Sequence, residues 1–109
     1  MRTLVLGALI WLVPLTAAAN GSYTHVHISQ LAADELPPGA LRDLLSVPDN
    51  RAALEAGSMF PDSGYAIDDP YGEIAHWEPF LGRLVAQLQV TYGGDHSSAE
   101  AQRAVAFLL

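Results

Sequence analysis

Trp77-Glu78-Pro79-Phe80-Leu81-Gly82-Arg83-Leu84-Val85-Ala86-Gln87-Leu88 decides the fold class. Its apolar residues Trp77, Phe80, Leu81, Leu84, Val85 and Leu88 recur three and four positions apart, which on a helix makes one broad apolar stripe. The spacing predicts a helix from about Trp77 to Val90 that stops near Gly93-Gly94. Downstream, Ser97-Ser98-Ala99-Glu100 fits a capping box, with Ser97 as cap and Glu100 three residues on, and opens a helix through Val105 and Phe107. Upstream, Thr24 is expected to cap a helix to Leu36 whose inner face carries His25, Ile28, Ala32 and Leu36. Pro37-Pro38-Gly39 breaks it, and a second helix runs from Pro38 to about Val47 with Leu41, Leu44 and Leu45 apolar. Pro48-Asp49-Asn50 opens a short third helix, Arg51 to Ala56, with Gly57 as its C-cap. Ser58 to Ala75 is rich in turn formers and reads as a long ordered loop. No segment alternates with strand period, so the expected class is all-α.

The chain has 109 residues, at most one domain. Met1-Arg2 precedes an apolar run from Leu4 to Leu15, followed by Thr16-Ala17-Ala18-Ala19. That order predicts a signal peptide over residues 1–19, with cleavage after Ala19, and secretion or export to a periplasm. A retained anchor is the alternative, but the run is short for a membrane span. Cleavage leaves about 90 residues beginning at Asn20, small for an enzyme core. Secreted domains of that size usually rely on disulfides, and this chain has no cysteine, so packing or a bound metal must serve instead. Twelve acidic residues against five arginines and no lysine give a net charge of −7, so a stable nucleic-acid complex through a basic surface is not expected. A bound cation could still attract a phosphate locally.

Three fragments offer metal-type donors beside apolar residues: Thr24-His25-Val26-His27-Ile28, Gly57-Ser58-Met59-Phe60-Pro61-Asp62 and Ala75-His76-Trp77-Glu78-Pro79-Phe80. Imidazole nitrogen and carboxylate oxygen suit zinc, and hydrolytic zinc sites keep a position open for water. Each residue also has a plain explanation. His25 on an apolar helix face reads as a core histidine and Asp62 as a turn or capping carboxylate. His76 precedes a helix, where a neutral ligand is better tolerated than a cation. His27 and His96 read as surface residues, and Glu73 with Asp68-Asp69 as solvated acids.

Together, Thr24-His25-x-x-Ile28 after a signal peptide, Gly57-Ser58-x-x-Pro61-Asp62 and His76-Trp77-x-x-Phe80 resemble the N-terminal half of the zinc-dependent phospholipase C family. That family includes bacterial phospholipases C and the N-terminal domain of glycosylphosphatidylinositol-specific phospholipase D, and is related to S1/P1 nucleases. The resemblance covers residues 20–109 and implies an all-α bundle around a cluster of up to three zincs. It implies that His25 binds one zinc with the amino-terminal residue, here Asn20, and that Asp62 and His76 bind a second. Asp62 is also the one residue it offers as general base, with Trp77 and Phe80 packing behind His76. The implied substrate is a phospholipid or another phosphodiester, met in transient contact with a membrane surface.

In the family, a helix like Ala101 to Leu109 continues into a glycine and a His-x-x-x-Asp pair, with further His and Glu donors beyond. The last helix here ends on Phe107-Leu108-Leu109, an apolar ridge without a polar tail. The expectation is therefore a chain cut within a larger domain, holding fewer zincs than the full cluster. The alternatives are an S1/P1-like nuclease, a noncatalytic helical binding or surface domain that retains the fold, and a membrane-tethered helical module.

Overall fold

A computed structural model describes residues 21–109, and the expected signal peptide lies outside them. Among the described residues the chain forms α-helices and no strand: α1 Ser22–Asp34, α2 Ala40–Ser46, α3 Pro48–Ala66, α4 Tyr71–Ile74, α5 Glu78–Tyr92 and α6 Ala99–Leu108. The all-α class holds. None of these helices is long and apolar enough to cross a membrane.

The main departure from expectation is α3. Gly57 does not cap it and Pro61 does not end it; the helix runs through both for 19 residues and takes in much of the expected loop. A proline in a helix interior forfeits one hydrogen bond and typically costs about 3 kcal/mol. Tertiary contacts on both sides offset that cost. Leu54 is buried before Pro61 and Gly64 after it. Between them Phe60 stacks on Tyr71 at 5.4 Å and Phe80 at 6.2 Å, and meets Phe107 edge-on at 5.6 Å. One aromatic ring thus ties α3 to α4, α5 and α6.

α3 is the central helix, packing against α1, α2, α4 and α6, while α5 lies on α6. The core is small: Ala33, Leu45, Leu54 and Ala106, flanked by Leu36, Leu44 and Ala53. Small residues set the closest crossing. A Cβ on Gly57 would fall 1.9 Å from the carbonyl oxygen of Phe107, so α3 and α6 touch backbone to backbone there.

Other boundaries shift for local reasons. Gly21, not Thr24, occupies the N-cap of α1, and its carbonyl accepts from the Thr24 N–H at 2.8 Å. The inner face of α1 is also rotated from expectation. Ala33 is buried while Ile28 and Ala32 are exposed, because α1 docks on α3 through polar groups rather than through its apolar stripe. Gln30 Nε2 donates to Glu55 at 2.9 Å, and Arg51 reaches both the Gln30 carbonyl and Asp34. α5 begins at Glu78, with Trp77 as its N-cap close to the expected start, and ends at Tyr92, capped by Gly93, whose φ of 63° favours glycine. Only the Phe80, Leu84 and Leu88 edge of its stripe is half-buried; Leu81 and Val85 stay exposed. The cap of α6 is Ser98 rather than Ser97: its hydroxyl accepts from the Ala101 N–H at 3.1 Å, while Asp95 takes the Ser97 N–H. Glu100 pairs with Arg103 instead of closing a box.

Asn50 is the one buried polar side chain among the described residues. Its amide donates to the Leu44 carbonyl at 2.9 Å and to Gln102 at 3.4 Å, joining α2, α3 and α6. Leaving a buried acceptor unmatched costs about 1–3 kcal/mol. Asn50→Ala is expected to lower stability by that amount, read as a lower urea midpoint at unchanged slope. A midpoint equal to that of the unmodified chain would mean that the amide does not link the helices.

Candidate metal centre

His25, Asp62 and His76 meet. His25 comes from the first turn of α1, Asp62 from α3 one residue beyond Pro61, and His76 from the turn between α4 and α5. His25 Nε2 lies 2.8 Å from Asp62 Oδ2, and His76 Nε2 lies 3.1 Å from Asp62 Oδ1. The carboxylate is largely shielded, with 18% of its side chain exposed, and the two imidazoles approach its two oxygens from either side. Asp62 is therefore not a turn residue, as its surroundings in the sequence allow, but the bridge between two histidines. Among the described residues no group of three or more His, Cys, Asp or Glu is placed so that it could hold a metal ion. The arrangement is a histidine–carboxylate–histidine row rather than a closed site.

Protonation limits what the row can be. The Gly72 carbonyl lies 2.5 Å from His76 Nδ1 and can only accept, so Nδ1 carries the hydrogen. In the neutral imidazole Nε2 then presents a lone pair, and 3.1 Å away it faces a carboxylate oxygen that also offers only lone pairs. Two acceptors at that distance repel unless a proton or a metal cation lies between them. A histidine whose far nitrogen is fixed by a backbone carbonyl is the usual arrangement of a metal ligand. Nitrogen and carboxylate oxygen at zinc bonding distances of about 2.0–2.1 Å stand roughly 3.3 Å apart in a tetrahedral shell. The donor types and the 3.1 Å between His76 Nε2 and Asp62 Oδ1 thus suit two positions of a zinc shell, with no third donor in place among the described residues. His25 differs: a hydrogen on its Nε2 satisfies the contact with Asp62 without any ion.

The turn that presents His76 is built by close backbone contact. A Cβ on Gly64 would lie 2.3 Å from the Gly72 nitrogen, and one on Gly72 would lie 2.8 Å from the Tyr65 nitrogen. The pair of glycines lets α4 sit directly on α3 and brings the Gly72 carbonyl under His76. Asp69 secures the start of α4 by accepting the Tyr71 N–H at 2.9 Å, and Asp68 has a left-handed φ of 54°. The Asp68-Asp69 pair therefore has a local structural role. His27 and His96 are exposed, as expected.

Glu73 is the residue that motif reading passed over. Its carboxylate accepts from the Tyr65 hydroxyl at 2.8 Å and from the Trp77 indole N–H at 3.2 Å. The spacing Glu73, His76, Trp77, three and four residues apart, was the available signal. Trp77 itself is 59% exposed and does not pack behind His76, because its indole is drawn to Glu73. The Tyr65 hydroxyl, followed by the Trp77 indole, holds the Glu73 carboxyl below its ordinary range, and the same bond holds the Tyr65 hydroxyl above its own. A carboxyl depressed by folding adds stability above its unfolded value of 4.5, and that stability is lost as pH falls through the lower folded value. The unmodified protein is expected to lose more stability between about pH 5 and pH 3 than Glu73→Gln, compared by urea midpoints. Equal losses would show that this carboxylate is not held in the folded chain.

The row opens onto a cavity of about 500 Å³. His25, Asp62 and His76 line one part of it, and Phe60, Phe80, Leu84 and Phe107 line another. Polar donors beside an apolar wall suit an amphipathic ligand. A family model described as zinc dependent phospholipase C matches residues 24–109. No curated protein and no solved structure matches the chain.

Proposed function

The chain belongs to the zinc-dependent phospholipase C family, whose model spans residues 24–109, and from that premise we propose that it is a secreted phosphodiester hydrolase acting on phospholipid. His25, Asp62 and His76 supply part of its zinc site. The observation that carries the reading is the contact of His76 Nε2 with the Asp62 carboxylate while the Gly72 carbonyl holds Nδ1, a contact that calls for a proton or a metal cation between the two atoms.

Zinc held by His25, Asp62 and His76 would supply Lewis acidity, which offsets charge on a phosphodiester and lowers the pKa of water. The chain's own residues do the rest. Gly72 fixes the tautomer of His76, and Asp62 sets the spacing of both imidazoles. Each carboxylate oxygen has two lone-pair directions and turns one toward a histidine, so Asp62 retains a direction in which to orient an attacking water and take its proton. Phe60, Phe80, Leu84 and Phe107 give an acyl chain or glycerol backbone an apolar surface next to the donors. A chain of net charge −7 without lysine has little to hold a polyanionic nucleic acid, which favours phospholipid over the nuclease alternative.

The test is zinc content and hydrolysis of a phosphatidylcholine vesicle by purified protein, beside His25→Ala and His76→Ala. Stoichiometric zinc and head-group release, both lost in the variants, are expected. Less than about one zinc per chain, or zinc unaffected by either change, would sink the reading. Export follows from residues 1–19, and N-terminal sequencing of secreted material should begin at Asn20.

A further inference from the structure

We propose that Glu73 is the positioning residue of the centre: by bridging Tyr65 and Trp77 it clamps the short turn that aims His76 Nε2 at Asp62. The part of the proposal that concerns zinc affinity rests on the reading of His76 as a zinc donor. The geometric part does not.

The need for a clamp follows from the size of α4. A four-residue helix cannot hold its own conformation, because nucleation is not repaid by propagation over so short a length. Yet α4 carries the Gly72 carbonyl that sets which nitrogen of His76 bears the hydrogen. The turn must be held from outside, and Glu73 is the α4 side chain that reaches both neighbours. Its Oε2 accepts from Tyr65, near the end of α3, and its Oε1 from Trp77, the N-cap of α5. One carboxylate thus links the three elements that bracket His76. The ring of Tyr65 also lies against the His76 imidazole, with centroids 5.4 Å apart and planes tilted by 30°. Holding the Tyr65 hydroxyl therefore holds a wall of the imidazole, and holding the Trp77 indole fixes the residue that follows His76. Glu73 touches no donor atom of the row, so it acts through position.

The amide of Glu73→Gln can still accept from the Trp77 indole and donate to the Tyr65 hydroxyl oxygen, so it keeps the clamp without the charge. Glu73→Ala removes the clamp. Two readouts are taken on each protein in its full expressed form. The first is the His76 tautomer in metal-free protein, from nitrogen–proton correlations of the imidazole at a pH where it is neutral. The second is zinc affinity by competition with a chelating dye.

The unmodified chain and Glu73→Gln are expected to hold His76 with hydrogen on Nδ1, whereas Glu73→Ala shows a mixture and binds zinc roughly 10–100-fold more weakly, as loss of an outer support typically does. Tyr65→Phe, which removes one hydroxyl and keeps the ring, should fall between them and serves if Glu73→Ala does not fold. A pure Nδ1–H tautomer in Glu73→Ala, or in Tyr65→Phe where that is the folded variant, overturns the proposal. So does a loss in Glu73→Gln equal to that in Glu73→Ala, which would assign the effect to charge. If the unmodified chain binds no zinc yet its tautomer depends on Glu73, the positioning role stands and the zinc reading of His76 falls.

Discussion

Replacing Asp62 with alanine should abolish stoichiometric zinc binding and cut phosphodiester hydrolysis by more than roughly 100-fold, beyond the range for loss of an outer partner, because the proposed function makes Asp62 itself a donor. Among the described residues it is the one that both imidazoles face, at 2.8 Å and 3.1 Å, and no other acid there joins His25 and His76. The effect is best separated from simple destabilisation by thermal unfolding with and without metal. A ligand at about 100 times its dissociation constant stabilises the native state by about 2.7 kcal/mol. At about 4–8 °C per kcal/mol for a domain of this size, that is a rise on the order of 10–20 °C in the unmodified protein. In Asp62→Ala the rise should vanish. The metal-free variant should lose only about 0.5–1.5 kcal/mol, since one half-exposed hydrogen bond from His25 goes with the carboxylate. Asp62→Asn sharpens the comparison, because it preserves volume and hydrogen bonding while offering zinc a poor donor. Metal-free stability near that of the unmodified chain with no zinc response is the expected outcome. A full zinc response in Asp62→Asn would remove Asp62 from the site.

The three donors were legible in the sequence because metal chemistry restricts residue type: imidazole and carboxylate in short motifs stand out in a chain of this length with no cysteine. Their meeting was implied by the family resemblance but not by local pattern, since it depends on α3 continuing past Gly57 and Pro61. Both residues are local helix breakers, and a local reading ends the helix there. What overrides them is non-local: the Phe60 ring packed among Tyr71, Phe80 and Phe107, and the backbone contacts at Gly57 and Gly64. The same limit explains the phase error in α1. The apolar pattern puts Ile28 and Ala32 on the inner face, but the partner surface on α3 offers Arg51 and Glu55, so the helix turns its Gln30 and Ala33 side inward and leaves Ile28 and Ala32 exposed. Where a single helix packs on one neighbour, as α5 does on α6, periodicity sufficed for its limits. Glu73 was missed for a further reason: its partners Tyr65 and Trp77 lie on different helices, and only Trp77 has a recognisable spacing from it.

Gly57→Ala should be the most destabilising single-methyl change in the chain, although intrinsic propensity points the other way. In an unconstrained helix interior the substitution gains up to about 1 kcal/mol. Gly82, inside α5 with nothing within 4 Å of its would-be Cβ, is the internal control, and Gly82→Ala is expected to stabilise by roughly that amount. At Gly57 the added carbon would sit 1.9 Å from the Phe107 oxygen and 2.8 Å from its carbonyl carbon. The obstacle is backbone on both sides, so no rotamer change relieves it and α6 must move away from α3. Overpacking of this kind costs about 1–3 kcal/mol and occasionally more. Here the upper end or beyond is expected, because the displacement also opens Ala106 in the core and the Phe60–Phe107 contact. For a domain with a core this small, whose total stability belongs near the low end of about 5–15 kcal/mol, that is a large fraction. Urea unfolding of the two alanine variants side by side measures the difference directly. Because Asp62 lies on the same helix a little over one turn beyond Gly57, the variant should also bind zinc more weakly while folded. Equal stability of Gly57→Ala and Gly82→Ala would show that α3 and α6 do not cross at backbone contact, and with it would go the packing that carries α3 through Pro61 to the metal centre.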